Sequence, residues 1–372
     1  MNPFYMSIRR QPIFLLTLLI MLNCGATNSS GEDPVLSANE VVIQMGSGVN
    51  IGNTFDLDSH DTSPALNKLI IDTYIDAGMD HIRIPVTWMD GYSGDHLADE
   101  AGNINFSHPR FKDLENVVDY ALSKGLYVTI NTHHEHWLFD SYDGSDEIDA
   151  VFSNLWTQIA THFKDYPQRL IFEVLNEPQG NFGEWGGSVV PGDARGIALT
   201  RQINNVGYHA IRATGGNNEQ RIIQIGVNGM GNHSQLDDVY PTIAELPGKG
   251  SDPYLMIQVH TYDPWTFCGQ TGRNSEYPGE ASIVQSIKKV TGHASQLNVP
   301  LNFGEWGVGR DDNKPERDTD LVRNHYKLMR QTILAEGAAP TAWEDRGWFG
   351  LISVDGGTVS FTNNILPTMM ED

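Results

Sequence analysis

Two glutamates stand out by their surroundings. Glu177 follows the apolar run Leu170–Leu175 within Asn176-Glu177-Pro178, and Glu305 follows Pro300–Gly304 and precedes Trp306. Two carboxyl groups, one protonated and one ionised, are the minimum needed to open an acetal. One protonates the departing oxygen, and the other attacks or activates water. An isolated glutamate of this kind proves little, because most such residues cap a helix or pair with a neighbour. Here, however, polar and aromatic residues gather at the ends of several apolar runs. Arg83 and Trp88 accompany the second run, and His133, His134, Glu135, His136 and Trp137 follow the third. His260, Tyr262 and Trp265 end the sixth, and Trp343 and Glu344 end the eighth. Arg83 and Tyr262 are donors suited to a carboxylate that must stay anionic. The indoles of Trp137, Trp265 and Trp343 suit the apolar C–H faces of sugar rings.

The elements that must position these residues alternate. The strand candidates are Gly46–Asn53, His81–Pro85, Leu126–Asn131, Leu170–Leu175, Arg221–Val227, Tyr254–His260, Pro300–Gly304 and Thr341–Trp343. They are short, rich in Ile, Val and Leu, and lack polar alternation, which is the pattern of parallel strands covered on both faces. Between them the spacing predicts helices over Pro64–Ala77, His108–Lys124, Asp146–Lys164, Asp193–Ala213, Glu280–Leu297 and Asp318–Ala335, with no clean helix in the fifth unit. The expected fold is α/β, a (β/α)8 TIM barrel in one catalytic domain over 41–372. Chemistry in such a barrel sits at the C-terminal ends of the strands, where the polar residues fall here. A doubly wound sheet is the alternative.

The chain of 372 residues has a formal net charge of −23. Such a field repels phosphate backbones and argues against a nucleic-acid partner. Arg9 and Arg10 precede an apolar stretch from Ile13 to Leu22, and small residues Gly25 and Ala26 follow. That reads as a signal peptide over 1–26, too short for a stable membrane span. Residues 27–40 read as a polar linker. The expected location is secreted, with Cys24 as a possible lipid anchor, and the expected state is a monomer. The HHEH segment follows a strand instead of lying on a helix, so it does not match the zinc-protease pattern. The first strand run ends in Gly52-Asn53-Thr54, where metal-dependent amidohydrolase barrels carry His-x-His. No metal and no cofactor are expected.

The strings Ile171–Pro178 (IFEVLNEP) and Leu301–Gly307 (LNFGEWG) resemble glycoside hydrolase family 5, the retaining cellulase family. Asn50–Asp56, Arg83–Trp88, Ile130–Trp137, Val259–Trp265 and Thr341–Glu344 agree in order. The resemblance implies that Glu177 is the general acid/base and Glu305 the nucleophile. It further implies that Asn176 binds the sugar 2-OH, that Arg83 and Tyr262 hold Glu305 ionised, and that Trp343 is a sugar platform. His260 and either His133 or His134 would line the site near the cleaved bond. The implied substrate is a β-1,4-glucan such as cellulose, carboxymethylcellulose or mixed-linkage glucan. A mannanase, a xyloglucanase and a non-catalytic glucan-binding barrel are the alternatives.

Overall fold

The computed structural model describes residues 34–90, 95–310 and 317–372. The chain divides into two units, Met1–Pro34 and Val35–Asp372, and the fold lies in the second. The expected signal peptide, Cys24 and most of the linker fall outside the described residues.

Eight parallel strands close into a barrel: β1 Gly48–Asn50, β2 His81–Ile84, β3 Tyr127–Asn131, β4 Leu170–Glu173, β5 Ile223–Ile225, β6 Leu255–Thr261, β7 Leu301–Trp306 and β8 Ala339–Ala342. β8 pairs with β1, so no edge is left open. Every residue of these strands is buried, as their continuous apolar character requires. Helices at Pro64–Asp76, Pro109–Ser123, Asp146–His162, Ala194–Ala213, Glu280–Leu297 and Asp320–Ala335 surround the barrel at their expected places. After β5 come only short helical turns, among them Asn228–Gly231 and Leu236–Val239.

Alternation along each strand sorts the side chains. Ile82, Val128, Ile130, Phe172, Ile223, Ile257 and Phe303 belong to the core shared with the helices. Their neighbours in sequence face the barrel axis. At the N-terminal end of the axis, Tyr127, Ile171, Ile222, Met256 and Ala339 form an apolar floor. One layer up, His81 bonds Met45 O (2.6 Å) and Thr341 Oγ1 (2.7 Å). Gly48 is required beside it, because a Cβ there would lie 2.2 Å from the His81 ring. Above that, Asn50, Arg83, Glu173 and Gln258 fill the interior. The axis therefore changes from apolar to ionic toward the end where the strands finish.

Several expected boundaries move. The first strand shrinks to three residues, and the helix Ala38–Met45 closes the barrel floor, replacing the end of the expected linker. Val41, Val42 and Met45 supply its buried face, and Ser37 with Glu40 form a capping box at its start. β7 runs on to Trp306, so Glu305 lies within the strand and not after it. β8 begins two residues early and ends at Ala342, leaving Trp343 just beyond it. A hairpin of β9 Ile352–Asp355 and β10 Thr358–Phe361 turns at Gly356 and Gly357, and a terminal helix Ile365–Met370 follows. No helix among the described residues is long and apolar enough to cross a membrane.

Candidate active site

Arg83 organises the C-terminal end of the barrel. It is buried on β2, and all five of its N–H donors are used. Nε and Nη2 hold the two oxygens of Glu173 at 2.6 and 2.7 Å. Nη1 donates to Asn50 Oδ1 at 2.8 Å and to Glu305 Oε1 at 2.9 Å. Nη2 also donates to Asn176 Oδ1 at 2.5 Å. Asn50 is fixed in turn by Gly304 O and Ala342 O, which ties β1 to β7 and β8. Burial opposes the charge on Arg83, but the carboxylates of Glu173 and Glu305 override it and raise its pKa. Glu173 is likewise desolvated, and Arg83 outweighs that and holds its carboxyl below the usual range. The buried guanidinium is thus permanently charged and permanently aimed at Glu305.

Glu305 and Glu177 face one another. One oxygen of each lies with a His260 ring nitrogen in a triangle whose sides are all within 4.8 Å. His260 Nδ1 is 2.8 Å from Glu177 Oε1 and 3.7 Å from Glu305 Oε2. Tyr262 Oη donates to Glu305 Oε2 at 3.0 Å. Burial raises both carboxyls to about 7. Glu177 adds to the rise at Glu305 and Glu173 to the rise at Glu177, and with oxygens this close the two titrate as a coupled pair. Arg83 and Tyr262 alone therefore do not keep Glu305 in the ordinary carboxylate range. They decide where the single charge of the pair rests. Among the described residues Glu305 accepts from a guanidinium and a phenol, while Glu177 has His260 alone, so the charge favours Glu305 and the proton favours Glu177. Burial pushes His260 down to about 4, so it stays neutral and can donate to Glu177 or accept from it.

The remaining expected residues surround this pair. Asn176 lies between Arg83 and His133, with its Nδ2 3.4 Å from His133 Nε2. Asn131 Nδ2 donates to His133 Nδ1 at 3.1 Å and to Glu173 Oε1 at 3.0 Å. The Trp343 ring lies parallel to His133, with centroids 6.0 Å apart. His134 stands edge-on to His133 and is partly exposed. Trp265 is exposed and meets Tyr262 edge-on at 6.2 Å, which places it at the rim. Trp137 lines a groove of about 830 Å³ with Met89, Leu97 and Ile104. Its Nε1 donates to Glu135, which also accepts from the Trp88 and Met89 amides. Glu135 is therefore wired into the β2 and β3 loops.

Sequence reasoning assigned no role to Asn50, Asp56 or Asn131. Asp56 is buried, and its Oδ2 has no hydrogen-bond partner; it lies 3.8 Å from His133 Nε2 and 3.7 Å from His134 Nε2. Burial raises its carboxyl to about 7. These three residues have the composition of a zinc site, but their spacings exceed the roughly 3.4 Å between two ligands of one tetrahedral zinc. A cation at the Glu177–His260–Glu305 triangle would have to compete with Arg83 for Glu305.

A closed eight-stranded barrel with facing carboxyl groups at its strand ends is an architecture on which glycosidic bonds can be hydrolysed. The family described as Cellulase (glycosyl hydrolase family 5) matches residues 42–344. Endoglucanase A of Ruminococcus albus is 30% identical over 339 residues, covering 86% of each chain. Endoglucanase B of the same organism is 33% identical over 305 residues, covering 78% of this chain and 70% of its own. Among solved structures, a broad specificity endoglucanase from Clostridium cellulovorans superposes with TM-score 0.75 at 25% identity, over 91% of this chain and 97% of its own. The chain belongs to glycosyl hydrolase family 5 and is a glycoside hydrolase of that family.

Proposed function

We propose that the protein is a retaining endo-β-1,4-glucanase in which Glu305 is the nucleophile and Glu177 the general acid/base. The observation that carries this reading is the facing pair itself, with carboxyl oxygens within 4.8 Å and unequal donors. That approach suits the retaining mechanism, whose carboxyl groups stand about 5–5.5 Å apart, and leaves no space for the water an inverting enzyme needs between them. Glu305 attacks the anomeric carbon while Glu177 gives its proton to the leaving oxygen. Glu177 then takes a proton from water, and that water breaks the glycosyl ester. Arg83 and Tyr262 orient Glu305, Asn176 faces the 2-OH, and His133, His134 and His260 line the sugar nearest the cleaved bond. Trp343 is its platform, with Trp137 and Trp265 at the two rims.

The endoglucanase relatives support β-1,4-glucan as the substrate class. Residues 1–26 serve as an export signal and the polar residues between them and the helix Ala38–Met45 as a linker, which delivers a secreted monomer; a lipid on Cys24 is a variant of the same route. Reducing sugar released from carboxymethylcellulose, glucomannan and xyloglucan tests the assignment. The greatest release is expected from the unbranched glucan. Release only from glucomannan, or only from xyloglucan, would replace the glucanase reading by a mannanase or xyloglucanase.

A further inference from the structure

Beyond β5 the backbone takes a conformation that one of its residues does not favour. Gly229 and Met230 both lie in the left-handed region, each with φ 61°. Glycine occupies it freely, whereas methionine is strained there. The surroundings enforce this shape. Gly229 N–H donates to Gly183 O (3.1 Å) and Met230 N–H to Pro178 O (3.2 Å). The Asn228 amide donates to Phe182 O and Pro191 O, both at 2.8 Å. Gly231 packs so closely that a Cβ would lie 3.3 Å from the His260 ring. The segment is clamped between the residue that follows Glu177 and the imidazole that touches Glu177.

The Met230 side chain lies outside the hydrophobic core and is 42% exposed. A strained, exposed apolar residue held beside an acid points to a role outside the core. Its position narrows that role. Asn176, His133 and Trp343 hold one side of the cleaved bond, from the ends of β3, β4 and β8. The leaving oxygen must face Glu177, so the leaving sugar extends over the loops after β4 and β5. Exposed Trp185 stands on the 178–191 loop, the one hydrogen-bonded to Gly229 and Met230. We infer that Met230 determines leaving-group specificity by packing its thioether against the glucosyl residue on the departing side of the cleaved bond. Methionine suits this task because its flexible, polarisable side chain adapts to a ring that must arrive and leave. The inference rests on the glucanase reading.

The test compares wild type, Met230→Gly and Met230→Asn on two substrates. Cellopentaose has a sugar leaving group, and 2,4-dinitrophenyl β-cellobioside has an aryl one that needs no sugar subsite. Glycine and asparagine both accept the left-handed backbone, so Met230→Asn keeps the test open if the glycine variant folds poorly. The ratio of kcat/KM for cellopentaose to that for the aryl glycoside should fall about tenfold in both variants. The loss should appear mainly in KM for cellopentaose. A ratio within about twofold of wild type overturns the assignment. A wild-type enzyme that cannot cleave cellopentaose would defeat the glucanase reading and this inference together, whereas an unchanged ratio in an active enzyme defeats this inference alone.

Discussion

Replacing Tyr262 by phenylalanine removes one hydroxyl and leaves the ring that packs on Trp265 and Phe349. The hydroxyl donates to Glu305 Oε2 at 3.0 Å, while Arg83 serves the other oxygen. A hydrogen bond to a charged group contributes about 1.5–3 kcal/mol. Its loss raises the free energy of ionised Glu305 and leaves the protonated form nearly unaffected. The carboxyl pKa must therefore rise, by about one to two units at 1.36 kcal/mol per unit. In a pH profile of kcat/KM the acid limb, which reports Glu305 ionisation, should move to higher pH by that amount. The alkaline limb reports Glu177, to which Tyr262 makes no hydrogen bond; because the two carboxyls share one charge, it should move in the same direction but by less than the acid limb. At the optimum the rate should fall about 10- to 100-fold. An acid limb that stays still, or moves to lower pH, would refute the claim that Tyr262 stabilises the charge on Glu305.

Glu173→Gln should move the same limb the other way, because a buried negative charge near Glu305 disappears while Arg83 remains; it should also cost about 3–5 kcal/mol of stability in urea unfolding, since a buried ion pair is broken. An acid limb shifted upward would contradict this ordering of charges. Glu344 tests the linkage of pH to stability. Burial raises its carboxyl to about 7 from an ordinary 4.5, although Tyr74 Oη and the Arg346 amide donate to it. A raised folded pKa means that the folded state binds the extra proton. The contribution is therefore full below the unfolded pKa and is lost as pH rises through the folded one. Glu344→Gln should lessen the decline in melting temperature between about pH 4.5 and 7, and an unchanged slope would count against it.

Much of this was legible in the sequence, for a physical reason. A parallel barrel buries both faces of each strand, so its strands read as short apolar runs whose polar ends mark the site. Glu177, Glu305, Arg83, His260 and Tyr262 all lie at such ends, and the fold brings them together. The helix Ala38–Met45 was hidden because its first three residues fall in the polar linker and its apolar residues form no strand pattern. Its signal was the Ser37–Glu40 capping box followed by Val41, Val42 and Met45 on one face. The hairpin at 352–361 carried a Gly-Gly turn between two short alternating runs, a pattern easily passed over after the eighth strand. Asp56 and Asn131 could not be read from spacing. Their contacts are with His133, His134 and Glu173, which strand pairing brings near. The shared titration of Glu177 and Glu305 is likewise a property of their separation, which no linear pattern encodes.

The central claim is that Glu305 makes a covalent bond to sugar while Glu177 supplies the proton. Incubation with a 2-deoxy-2-fluoro-β-cellobiosyl fluoride, followed by mass spectrometry of the digested protein, tests it directly. The account predicts one added glycosyl mass on the peptide containing Glu305, formed also by Glu177→Ala because fluoride leaves without protonation. A label on Glu177, on any other residue, or on none while the enzyme turns over normal substrate, would contradict it.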